Sequence, residues 1–376
     1  MKKIFVTSGM LCTILTLSQT KKDSTTQKEI KEVVLVGKKP TVENKVDRTV
    51  FNVANSSILA GNTTWEVLKM TPLISVENDE TLKSEGENVT VYINDRKSVF
   101  TGKELKEYLK TIPADNLMKI EVITNPSARY ESAGSVINIV LKKLENEGVK
   151  GSVSLSNTQN KKNSQYSNFN LNYHKKNFTQ TLSGGYSNGE YVYSSTNENY
   201  IYANKSLTSV ITDSNNLNKV PTFSSTSELE LDSKNNIGLI LEYFQYKYNN
   251  NANAVGSSYL DTVFQNSFTQ NQSTNGDHKS IGSNVFYKYY DKVKNKIFDV
   301  NLGVNYYNEE SNNEFILSQE IAPVSSGSKI VSDNQNRNYY LKLDYTQPFE
   351  KSGINLEMGG KIDFKNNVIP NDYYLL

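Results

Sequence analysis

The sequence of 376 residues carries 41 basic and 40 acidic side chains, so its net charge of +1 gives no bias toward nucleic acid or another polyanion. Aromatic residues make up 10% of the chain, with 24 Tyr and 14 Phe, which suits surfaces that are apolar on one side and wet on the other. The single cysteine, Cys12, excludes a disulfide framework within the chain.

The N-terminus has the pattern of a secretory signal peptide over residues 1–19. Lys2 and Lys3 form a positively charged start, an apolar stretch covers 4–17, and small residues follow. A membrane anchor is disfavoured because this stretch is shorter than the roughly 18 to 20 residues of a spanning helix. A lipoprotein anchor on Cys12 is an alternative, although the residues before it fit a lipoprotein cleavage motif poorly.

Residues 20–31 are polar and charged without periodicity and predict a flexible linker, followed by an apolar, strand-like run over 32–37. Residues 38–143 then mix strand and helix patterns. Thr63 or Thr64 is expected to cap the first helix, which ends before Pro72. Strands are predicted over 50–53, 89–93, 120–123 and 136–141, and helices over 64–70 and 102–110.

After Lys143 helical spacing disappears and apolar residues alternate with polar ones. The clearest strand places Phe298, Val300, Leu302 and Val304 on one face. Polar opposite faces over many strands favour a transmembrane β-barrel with a wet lumen, and a soluble all-β protein is the alternative. The polar stretch 194–225 is expected to form an extracellular loop, and prolines such as Pro221 are expected in connections.

Three segments of 38–143 resemble the plug domain of TonB-dependent outer-membrane receptors, in the variant found in Bacteroidota. Residues 65–76 read WEVLKMTPLISV, residues 117–130 read LMKIEVITNPSARY, and residues 133–143 read AGSVINIVLKK. Each motif is weak alone, but the three occur in the family's order and spacing. The positions that the resemblance marks are Pro72, Asn125, Pro126, Arg129, Tyr130, Glu131, Gly134 and Asn138.

Two positions depart from the family pattern. Ser135-Val136 stands where a Gly-Gly pair is usual, and Asn94-Asp95-Arg96 stands where an Asx-Gly turn is expected. Both departures put the local turn geometry in question. Arg129 and Glu131 are candidates for ion pairs between plug and barrel wall, with an ordinary solvated pair as the alternative.

The resemblance also implies a TonB box near the mature N-terminus. Alternating β-branched residues on a flexible tether can add a strand to the sheet edge of the periplasmic protein TonB. The alternative is that this run is simply the first strand of the plug. The TonB-box-like residues are Lys31, Glu32, Val33, Val34, Leu35, Val36 and Gly37.

The fold class predicted is therefore an α+β plug followed by an antiparallel transmembrane β-barrel. The domains expected are a signal peptide over 1–19, a linker with the TonB box over 20–37, the plug over 38–143 and a partial barrel over 144–376. The resemblance implies TonB-driven uptake of a scarce ligand at the outer membrane: a siderophore, cobalamin, an oligosaccharide or a peptide. Its partners would be TonB, a small ligand or metal chelate, and outer-membrane lipid, with no nucleic acid. A non-transporting barrel or adhesin-like surface binder is the alternative.

An enzyme is not expected. The two histidines, His174 and His278, lie far apart in the sequence, and no zinc-protease, nucleophile-elbow or phosphate-loop motif occurs. No metal site or cofactor is predicted.

The length of the barrel region falls short of a full receptor. Barrels of this family close with 22 strands, and each strand with its share of turn and loop takes roughly 20 residues. Residues 144–376 therefore supply about ten to twelve strands, close to half a barrel. We expect a partial chain, with a small closed barrel of ten or twelve strands as the alternative.

Overall fold

The computed structural model describes residues 40–45, 47–55, 61–127, 129–132, 134–321, 325–349 and 353–376. The predicted signal peptide, the linker and the TonB-box-like residues all lie outside the described residues. From residue 40 onward an α+β unit precedes a ten-stranded antiparallel sheet. This arrangement confirms the predicted fold class.

The α+β unit is built on an eight-stranded sheet. Its strands follow the order β1-β2-β7-β8-β5-β4-β3, and β6 pairs with β5. The pairing of β5 with β8 is parallel, whereas β7 and β8 are antiparallel. The strands are β1 (Val42–Asn44), β2 (Thr49–Phe51), β3 (Ile74–Glu77), β4 (Thr81–Ser84), β5 (Glu87–Ile93), β6 (Arg96–Lys97), β7 (Leu117–Ile123) and β8 (Ser135–Leu141).

Two α-helices, α1 (Thr64–Lys69) and α2 (Gly102–Lys110), cover this sheet, and short 3-10 helices occupy Val53–Asn55 and Ala114–Asn116. Both α-helices were predicted from the sequence. Thr63 caps α1 through a capping box, because its side chain accepts from the Glu66 N–H while the Glu66 carboxylate accepts from the Thr63 N–H. Trp65 and Leu109 are fully buried in the core between helices and sheet.

The second sheet runs in chain order from β9 to β17, each strand antiparallel to the next, and β18 pairs with β16. Strands β11 to β16 have 24 to 29 residues each, more than twice the roughly 9 to 11 that a bilayer requires. The strands are β9 (Gly148–Gln159), β10 (Asn163–Lys175), β11 (Phe178–Ile201), β12 (Ser206–Glu230), β13 (Asn235–Leu260), β14 (Val263–Asp291), β15 (Lys296–Gln319), β16 (Ser325–Phe349), β17 (Ile354–Val368) and β18 (Asn371–Leu375).

Two predictions about this sheet are wrong. Residues 194–225 form no long loop, because they continue β11 and β12 in one ladder in which Ser194 faces Asp213. Continuous backbone pairing holds these strands, although their sequence lacks a regular apolar alternation. Pro221 lies inside β12 and not in a connection, and the β12–β13 ladder skips Val220 and Pro221. Proline has no N–H to donate to that ladder.

The alternation of the strands separates two different faces. Leu302 and Phe364 are 57% and 69% exposed on the outer face. The opposite face buries polar side chains such as Asn170, Ser183 and Ser224 against the α+β unit. A soluble sandwich would instead bury the apolar face.

The curled sheet stays open among the described residues. Its order ends at β9 and β17, and these two strands do not pair with each other. The ten strands agree with the predicted ten to twelve, whereas closure into a small barrel does not occur in this part of the chain. No helix of the described ranges has the length and hydropathy to cross a bilayer.

Candidate functional site

The β5–β6 hairpin of the plug-like α+β unit points into the space beneath the curled sheet. Its two turn residues, Asn94 and Asp95, have φ angles of 50° and 66°, which Asn and Asp tolerate better than most residues. The Asp95 N–H donates to Asn138 Oδ1 at 3.1 Å, and the Leu141 N–H donates to Asn94 Oδ1 at 2.9 Å. The turn therefore keeps a two-residue hairpin geometry without glycine, and it fixes the direction of Arg96.

Glu131 forms the main ionic contact between the α+β unit and the curled sheet. Its carboxylate lies 2.7 Å from Lys361 Nζ, 3.5 Å from Lys342 Nζ and 3.8 Å from Lys97 Nζ. Burial opposes the charged form, but the hydrogen bond from Lys361 and the charges of Lys342 and Lys97 hold the pKa of Glu131 below its usual value. Lys342 also donates to the backbone carbonyl of Arg129 at 3.0 Å. The cluster ties the loop before β8 to β16 and β17.

Helix α2 makes the main apolar contact with the curled sheet. Phe100, just before the helix, lies 5.4 Å from the Tyr108 ring and 6.2 Å from the Phe244 ring of β13. Burial raises the pKa of the Tyr108 hydroxyl, which accepts a hydrogen bond from Ser224 at 3.4 Å. Sheet and α+β unit thus share one core at this point.

A polar contact accompanies this shared core. Glu104 of α2 lies 2.5 Å from His278 Nε2 of β14, and the His278 ring packs edge-on against Phe244. This carboxylate–imidazole contact is shielded by an aromatic ring. It breaks if the α+β unit moves away from the sheet.

A cavity of about 1050 Å³ lies between the α+β unit and the inner face of the sheet, and Glu131, Glu104 and His278 are among the residues that line it. Its walls are the β5–β6 hairpin, the start of α2 and the polar faces of the curled sheet. Nine basic and seven acidic side chains line it, so its charge is slightly positive. Its size suits a small solute.

Four of the motif residues lie in the second half of the loop between β7 and β8, and a fifth, Asn138, lies in β8 itself. The four are Arg129, Tyr130, Glu131 and Gly134. Tyr130 is buried with its ring edge-on to Tyr92 at 5.2 Å, and the Tyr92 hydroxyl accepts from the Glu131 N–H at 2.8 Å. A Cβ on Gly134 would lie 2.6 Å from the Asn88 carbonyl oxygen. These contacts explain why the loop between β7 and β8 is compact.

Asn138 links β8 to the β5–β6 turn and to β7. It is buried, and its amide donates to Asp95 Oδ1 at 2.9 Å and to Glu121 Oε2 at 3.0 Å. Pro72 is exposed just after α1, and Asn125 and Pro126 lie in the bend after β7. Pro72 therefore marks a helix end and contributes nothing to the cavity wall.

Sequence analysis missed Lys342 and Lys361, although it named their partner Glu131. Alternation places both lysines on the polar face of their strands, but nothing in the sequence indicates which of many polar residues faces the α+β unit. Phe286 was missed for a related reason. Apolar residues occur on both faces of β14 around it, so the sequence does not show which face it lies on.

No family model and no curated protein matches the sequence. The chain is similar to the solved ferripyoverdine receptor of the Pseudomonas aeruginosa outer membrane bound to ferripyoverdine, at 13% identity and a TM-score of 0.43, covering 87% of this chain and 53% of that one. P. aeruginosa FpvA bound to heterologous pyoverdines gives 12% identity, a TM-score of 0.45 and the same coverage. The unliganded ferric citrate transporter FecA gives 14% identity and a TM-score of 0.35, covering 87% of this chain and 60% of that one. The chain thus spans between half and two thirds of these structures.

Proposed function

We propose that this chain is the plug and part of the barrel of a TonB-dependent outer-membrane receptor, of the type found in Bacteroidota. In this proposal residues 1–19 are a signal peptide, 20–37 a tether with the TonB box, 38–143 the plug, and 144–376 part of the barrel. Such a receptor takes up a scarce ligand and is not an enzyme. The resemblance of three ordered sequence motifs supports the assignment.

The observation that carries the proposal is the way the α+β unit sits against the curled sheet. It contacts the polar face of the strands through Glu131 and α2, while the apolar face is exposed. An apolar outer face is stable in lipid, and a polar inner face is stable around a plug and water. Outer-membrane location follows from the same two faces.

The mechanism proposed begins with ligand binding from outside. TonB takes the segment 31–37 as an added strand and pulls on the tether. The pull acts on a plug held by the shared core at Phe244 and by polar links, the Glu131 cluster and the Glu104–His278 contact among them. Breaking such local contacts requires less work than unfolding the whole plug, so ligand can pass after a partial displacement.

Capture by TonB tests the proposal without knowledge of the ligand. The full chain, expressed in the outer membrane, is solubilised and passed over immobilised periplasmic domain of TonB. Deleting 31–37 should abolish capture, whereas deleting 24–30, an equally long piece of the linker, should leave it unchanged. Capture that survives deletion of 31–37 refutes the TonB-box assignment. An intact outer-membrane protein that TonB never captures is instead a non-transporting barrel or surface binder.

A further inference from the structure

Arg96, on the wall of the cavity, lacks the partner that a buried guanidinium normally has. It lies over the Phe286 ring of β14, with Cζ 3.5 Å from the ring centroid. Its Nε is buried without a hydrogen-bond partner, and its one described hydrogen bond runs from Nη1 to the Asn94 carbonyl at 3.4 Å. Among the described residues no carboxylate lies within ion-pair distance of it. A planar donor group is therefore held in place with most of its donors unused.

The carboxylates nearest to Arg96 are engaged elsewhere. Glu228 pairs with Lys143 at 2.7 Å, and Asp299 accepts a hydrogen bond from the Asn301 amide. Asp95 accepts from the Asn138 amide.

This arrangement disfavours the charged guanidinium. Burial lowers the pKa of Arg96, and the charges of Asp299, Glu228 and Asp95 do not offset that effect. An unpaired charge that is taken partly out of water is destabilised, and stacking on an aromatic ring recovers only part of this loss. An anion entering the cavity would supply the missing partner, and a guanidinium binds carboxylate or phosphate through two parallel hydrogen bonds.

Unused acceptors line the same cavity on the sheet side, where Phe286 packs against Arg96. The side-chain oxygens of Asn284, Asn305 and Asn338 are buried without hydrogen-bond partners, and all three residues line the cavity. Asn284 is two residues from Phe286 on the same face of β14, and Asn305 pairs with Asn338 across β15 and β16. These oxygens can accept from hydroxyl groups of a solute that Arg96 holds by its charge.

We propose that the cavity between the β5–β6 hairpin and strands β14 to β16 is a binding site for an anionic, hydroxyl-rich solute, whose carboxylate or phosphate pairs with Arg96. Its hydroxyl groups bind the asparagine side chains. A role of this site in transport rests on the proposed receptor function. Binding of the solute to the isolated protein does not depend on that function.

Titration calorimetry on the folded full chain in detergent tests the site with three probes. D-galacturonate carries a carboxylate, D-glucose 6-phosphate carries a phosphate, and D-glucose carries no charge. We expect one or both acids to bind and glucose to bind at least tenfold more weakly. Arg96→Gln should weaken binding of the acids at least tenfold. The matched control is Arg337→Gln, because Arg337 also lies over an aromatic ring, that of Tyr306, but does not line the cavity.

The pattern of binding identifies the ligand chemistry. Binding of galacturonate alone assigns a carboxylate, binding of the phosphate ester alone assigns a phosphate, and binding of both assigns any oxyanion. Failure of both acids, equal binding of glucose, or wild-type affinity in Arg96→Gln overturns the proposal. If Arg96→Gln does not fold, Arg96→Lys replaces it. Lysine keeps the charge but cannot form the two parallel hydrogen bonds of a guanidinium. Wild-type affinity in Arg96→Lys therefore also counts against the site. TonB capture is independent of all these results.

Discussion

Replacing Glu131 by Gln removes the carboxylate that three lysines share between plug and sheet. The side chains of Glu131, Lys361 and Lys342 are only 23%, 24% and 14% exposed. Exposed ion pairs contribute up to about 1 kcal/mol, and breaking a buried pair costs about 3 to 5 kcal/mol. For this half-buried cluster we expect Glu131→Gln to lower the free energy of unfolding of the plug by about 2 kcal/mol.

The fluorescence of Trp65 provides the assay. It is the only tryptophan of the chain, and it is buried in the plug core, so its emission during urea unfolding reports the plug and not the sheet. A double-mutant cycle with Lys361→Gln should give a coupling of about 1 to 2 kcal/mol. The control is Glu77→Gln, which breaks the exposed Glu77–Lys83 pair and should cost less than about 1 kcal/mol.

The effect of Glu131 should also depend on pH. Because the folded state lowers the pKa of this carboxyl, its contribution is present above the ordinary pKa of a glutamate and is lost as pH falls through the lower folded value. Wild type and Glu131→Gln should therefore converge in stability in strong acid. A loss of stability in Glu131→Gln no larger than that in the Glu77 control, or a difference that does not change with pH, refutes the ionic link.

Three further predictions test other parts of the structure. Gly134→Ala places a Cβ 2.6 Å from a backbone oxygen of β5 and should destabilise the plug by about 2 kcal/mol in the Trp65 assay. Burial lowers the pKa of Lys103 to about 8, so its amine should titrate there by NMR, and a midpoint near 10.5 would contradict the buried position. Leu302→Arg should impair assembly into lipid by about 2 to 4 kcal/mol if this face meets the bilayer, while Asn301→Ser on the inner face should not; equal assembly of both variants argues for a wet outer face.

The sequence by itself determined the local elements and the two faces of the strands. The 3.6-residue spacing of Leu105, Tyr108 and Leu109 located α2, and the two-residue alternation through Leu302 located β15 and its exposed face. These features depend on residues that are neighbours in the chain, so the hydropathy pattern of the sequence is sufficient to predict them. The length of the strands could not be predicted from the hydropathy pattern, because residues 194–225 lack the apolar alternation that marks a strand.

Only the tertiary structure decided which polar residues meet. Glu131 and Lys361 are 230 positions apart, and their pairing depends on how the plug sits against β17. The position of Arg96 over Phe286 likewise depends on a turn at Asn94 and Asp95 and on the register of β14. Contacts between distant segments follow from the packing of whole sheets, which no local pattern of charge or hydropathy encodes.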